Sequence, residues 1–71
     1  MTERMTTEQL REIAYQEILE LFENDRAAAG KWMSSSVRAL GNHPPISLMG
    51  TKTGIEKVRQ LVGQLEHGVY P

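Results

Sequence analysis

Cysteine is absent from the 71 residues, which excludes a disulfide framework and a thiolate metal site. The two histidines, His43 and His67, stand without carboxylate or thiol neighbours at ligand spacing, so no metal ion and no other cofactor is expected. Long apolar runs are missing as well. Nothing approaches the roughly 18 residues that a membrane span requires, and the N-terminus has no apolar signal segment; a cytoplasmic protein is expected. Aromatic residues are few (Tyr15, Phe22, Trp32 and Tyr70), too few for a base-stacking platform. A net charge of −1 gives no general attraction to nucleic acid or membrane. Nucleophile–base pairs are lacking too. Ser34, Ser35 and Ser36 lie near His43 only in sequence, and a core this small encloses no catalytic pocket. The chain is not expected to be an enzyme.

What is present is helical patterning. Seventy-one residues make one domain, spanning residues 1–71, near the lower limit of what a hydrophobic core stabilises unaided. Residues 1–5 read as a frayed leader. Thr6 with Gln9 three residues on forms a capping box, and Leu10, Ile13, Ala14, Ile18, Leu21 and Phe22 then recur at helical spacing. A first helix over residues 7–23 follows, ended by Asn24 and Asp25. Asp25 caps a second helix over 25–33. Ser34 to Ser36 break the pattern because serine hydroxyls compete for backbone hydrogen bonds. Pro45 has the fixed φ suited to the first position of a short helix over 45–49. Thr51 caps a last helix over 52–67, striped by Ile55, Val58, Leu61, Val62 and Leu65 and closed by Gly68. The fold class expected is a small all-α domain of three main helices with a short proline-started fourth. Its core residues are Trp32, Leu40, Pro45, Leu48, Ile55, Val58, Leu61 and Leu65, with Trp32 as the anchor between the long helices.

Charge divides along the chain. Residues 1–26 hold seven acidic and three basic side chains, whereas residues 27–71 hold two acidic and five basic. Either the first helix has a solvated acidic face, or the two halves meet differently charged surfaces. Asn42 and His43 are polar residues at the tip of a rigid turn, which suits them either to a connector or to contacts with a partner. Gly54 sits in the first turn of the last helix, where alanine is intrinsically better; close backbone approach by another helix or by a partner would explain it. Val69 and Tyr70 are apolar and aromatic residues beyond a helix cap. They either fold back on the core or anchor in another protein.

An ordered set of motifs runs from Arg26 to Tyr70: Trp32-Met33, Ala39-Leu40-Gly41-Asn42-His43-Pro44-Pro45, Leu48-Met49, Thr51 and Gly54, Val58, Leu61 and Leu65, then Glu66-His67-Gly68-Val69-Tyr70. In this order they resemble the toxin-binding domain of the Xre/MbcA/ParS antitoxins, the partners of RES-domain toxins. The resemblance covers residues 26–70. It departs from the family pattern at Met33, Ser35 and Ser36, where Leu and a Pro-Asn pair are usual, and at His43, where the turn usually carries Arg.

The resemblance implies an antitoxin of a two-gene system. Its partner would be a RES-domain protein that consumes NAD or uses it for ADP-ribosylation, and the antitoxin would cover that protein's active-site cleft. The implied toxin-binding residues are Asn42, His43, Gly54, Glu66, His67, Gly68, Val69 and Tyr70, with the end of the last helix as the blocking surface. Family members usually also carry an N-terminal helix-turn-helix segment. The 25 or so residues ahead of the resemblance form one acidic helix, so DNA binding by this chain alone is not expected. The alternatives are a self-association module working through the Leu10–Phe22 helix and a remnant of a transcriptional regulator.

Overall fold

Thr6 opens the first helix through both halves of its capping box. Its hydroxyl accepts from the Gln9 amide at 3.1 Å, and its own amide donates to the Gln9 side chain at 3.0 Å. The computed structural model describes residues 5–68. Helix α1 spans Thr7–Leu21 and turns Leu10, Ala14 and Ile18 inward, the i, i+4, i+8 spacing of one helical stripe. It stops two residues earlier than the sequence pattern suggests. The Asn24 amide donates to the Leu19 carbonyl at 2.7 Å and the Glu23 amide to that of Glu20 at 3.0 Å. These are the two bonds of a Schellman motif, with Glu23 in its left-handed position at φ 55°. The stop signal is therefore a residue whose chemistry does not advertise it, since glycine is usual there.

Helix α2, Arg26–Met33, starts where Asp25 accepts from the Ala28 amide at 3.1 Å. Ala29 and Met33 face the core, while Trp32 is half-buried at its edge. The tryptophan is thus not the enclosed anchor expected from the sequence. Its bulk makes full burial uncommon, and Met33 takes the inward position beside it. The Trp32 ring instead tilts against Phe22, with centroids 6.1 Å apart at 50°, closing the α1–α2 corner.

Two single-turn 3-10 helices follow, Arg38–Leu40 and Pro45–Leu48. Between them the chain reverses through Gly41 at φ 73° and Asn42 at φ 65°, residues that tolerate left-handed backbone. The Val37 amide donates to the His43 carbonyl at 3.2 Å, and the Asn42 amide donates to Val37 at 3.0 Å. These bonds tie the base of the reversal into a closed loop.

Helix α3, Lys52–Glu66, is capped by the Thr51 hydroxyl, which accepts from the Gly54 amide at 3.1 Å. Ile55, Val58 and Val62 are enclosed and Leu61 nearly so; with Leu10, Ala14, Ile18, Ala29, Met33 and Met49 they form the core. Pro45 is also fully buried. Leu40, Leu48 and Leu65 are half-buried. Helices α1 and α3 run in the same direction, held by two polar clamps. Arg11 donates from Nε to the Met49 carbonyl at 2.8 Å. Farther along, Arg59 forms a bidentate ion pair with Glu17 at 2.9 and 3.0 Å. The apolar stripe of α1 therefore packs on its own chain. Among the described residues no helix is long and apolar enough to cross a membrane.

Candidate functional site

Gly54 shows how tightly the 3-10 turn and α3 are joined. A Cβ at that position would overlap the Leu48 carbonyl oxygen and come within 3.0 Å of the Leu48 carbonyl carbon and 3.1 Å of the Thr51 hydroxyl. The glycine is buried, so its place is explained by contact inside the chain. Of the two explanations the sequence leaves open for Gly54, approach within the chain is the one these contacts supply. Its service to a binding site is indirect, since it lets Pro45–Leu48 lie directly against the start of α3.

That packing leaves a groove between the Arg38–Leu40 turn and α3, of about 690 Å³. Leu40, Leu48 and Leu61 are apolar groups in its lining, with Lys57, Gln60 and Gln64 contributed by α3 and Gly41 and His43 by the reversal. Residues 57, 60, 61 and 64 share one side of α3 because they recur at three and four positions. Lys57 is the only formally charged side chain in the lining, and among the described residues it enters no ion pair. Lys57, Gln60 and Gln64 are not among the site residues expected from the sequence. Their regular spacing is visible in the sequence, but the wall opposite them arises from a turn folded across the helix.

The expected site residues among those described do not form one patch. Asn42 and His43 are exposed at the reversal, and His43 lines the groove. His67 and Gly68, just past the end of α3, are exposed. Glu66 is exposed but lies about half a turn round the helix from Lys57, at 3.6 residues per turn. It belongs to the opposite side, beside Arg59 and Gly63. There the Glu17 hydrogen bond, with Coulombic help from Glu17 and Glu56, raises the Arg59 guanidinium above its usual value against the desolvation that lowers it. Val69 and Tyr70 lie outside the described residues. Among the described residues no three His, Cys, Asp or Glu side chains are grouped to hold a metal ion.

Comparison with known proteins finds a family and curated relatives. Residues 19–68 match the antitoxin Xre/MbcA/ParS C-terminal toxin-binding domain. The chain is 44% identical over 52 residues to an antitoxin Xre of Yersinia enterocolitica, covering 73% of this chain and 35% of that protein. It is 37% identical over 51 residues to an antitoxin Xre of Photorhabdus laumondii, covering 72% of this chain and 34% of that protein. The chain thus spans about a third of the length of these curated relatives. No solved structure gives a significant match. The matched segment holds every residue lining the groove, and the chain belongs to the family of Xre/MbcA/ParS antitoxin C-terminal toxin-binding domains.

Proposed function

We propose that this chain is the toxin-neutralising part of an antitoxin, which binds a RES-domain, NAD-consuming or ADP-ribosylating toxin and masks its active site without performing chemistry of its own. The observation that carries the reading is the match of residues 19–68 to the toxin-binding family. The resemblance assigns the blocking role to the end of α3 and the tail from Glu66 to Tyr70. Physical reasoning supports this choice. Helix α3 is capped by Thr51 and fixed to the core by Ile55, Val58 and Val62, so its end is held before any partner arrives. A preformed element loses little conformational entropy on docking, and tyrosine is among the residues that tend to dominate interface energies.

The self-association reading is less well supported, because Leu10, Ala14 and Ile18, the stripe it would use, are buried within the chain. A growth assay tests the main reading. Cells expressing a RES-domain toxin that this chain binds should survive when the chain is co-expressed, and should lose protection when residues 66–71 are deleted. Undiminished protection by the truncated chain would remove the tail from the mechanism.

A further inference from the structure

We infer that the groove between the Arg38–Leu40 turn and α3 is a second docking element, receiving an apolar side chain of the toxin together with a neighbouring carboxylate. The inference rests on the toxin-binding reading and adds to it a contact separate from the tail. Three observations carry it. Every lining residue falls inside the family-matched segment, which makes this hollow part of the portion that defines toxin binding. Its apolar lining is provided by Ala39, Leu40, Leu48 and Leu61, hydrophobic groups brought together at an open surface. Its only formal charge is the exposed Lys57.

A single unpaired ammonium beside an apolar floor selects its complement: a carboxylate placed next to a hydrophobic side chain. Among the described residues the chain does not provide one here: none of Glu8, Glu12, Glu17, Glu20, Glu23, Asp25, Glu56 and Glu66 lines the groove. Glu66 instead projects from the other side of α3, so the charge of the tail and the charge of the groove address different places on the partner. The result is a two-point grip, with the tail at the cleft and the groove fixing the orientation of α3 beside it.

The test measures the affinity of the 71-residue chain for a purified RES-domain toxin, the proposed partner, using three substitutions at exposed positions of α3. Lys57→Glu reverses the groove charge, Gln60→Trp fills the hollow, and Lys52→Glu makes the same net-charge change outside it. Lys57→Glu and Gln60→Trp should each weaken binding by about tenfold or more, while Lys52→Glu stays within about twofold of wild type. Circular dichroism should show equal helicity in all four proteins. If Lys57→Glu weakens binding no more than Lys52→Glu, or if Gln60→Trp binds like wild type, the groove is not a docking element. If wild type itself does not bind, the toxin-binding reading fails and the groove assignment fails with it; binding by wild type with indifferent variants overturns the groove alone.

Discussion

Gly54→Ala should destabilise the chain although alanine is the better helix former. The new methyl group would overlap the Leu48 carbonyl oxygen, a backbone atom that cannot rotate aside as a flexible side chain would. Overpacking of this kind typically costs about 1–3 kcal/mol. The same methyl crowds the Thr51 hydroxyl at 3.1 Å, endangering a helix cap worth about 1 kcal/mol. Against these stands the helix propensity of alanine over glycine, also about 1 kcal/mol. Cap and propensity nearly cancel, which leaves a net loss of about 1–3 kcal/mol. For a domain of this size each kcal/mol lowers Tm by about 4–8 °C. Thermal unfolding followed by far-UV circular dichroism measures the change directly. Gly30→Ala is the matched control, because a Cβ there meets nothing within 4 Å and should raise stability by up to about 1 kcal/mol. A Gly54→Ala variant as stable as wild type would refute the claim that close packing on Leu48 fixes this glycine.

Other substitutions probe separate joints of the fold. Glu23→Gly should raise Tm by a few degrees in the same melting experiment, since a left-handed non-glycine residue is disfavoured by about 1 kcal/mol or more; no gain would mean that the Glu23 backbone carries no strain. In a double-mutant cycle of Glu17→Gln with Arg59→Gln, monitored by urea unfolding, the coupling should be no more than about 1 kcal/mol. The pair is bidentate but its side chains remain about one-third exposed, so solvent screens it. A coupling of several kcal/mol would show that the pair behaves as a buried one.

The helices were legible in the sequence where their signals are local. Thr6 with Gln9, Asp25 and Thr51 each announce a cap through residues three positions apart, and all three caps form. The end of α1 was less legible because Glu23 occupies a place where glycine is the usual marker. Core membership divided in the same way. Ile55, Val58 and Leu61 lie on a clear stripe and are buried. Trp32 could be placed on the inner side of α2, but its half-burial depends on where Phe22 and Met33 sit around it. For Gly54 the sequence could say that something approaches, and only the fold identifies the Leu48 carbonyl. The groove was illegible for a related reason: one wall is helical spacing, while the other is a turn that begins nineteen positions before Lys57 and is laid across α3 by tertiary packing.

Whether the chain inhibits a toxin by masking it, as proposed, is read from an NAD-consumption assay. A purified RES-domain toxin, the proposed partner, would be titrated with the 71-residue chain. Activity should fall to near zero once the chain saturates the toxin, and recover when the two are separated. Full NAD turnover in a complex shown to be saturated would contradict masking, because the chain would then bind the toxin without covering its active site.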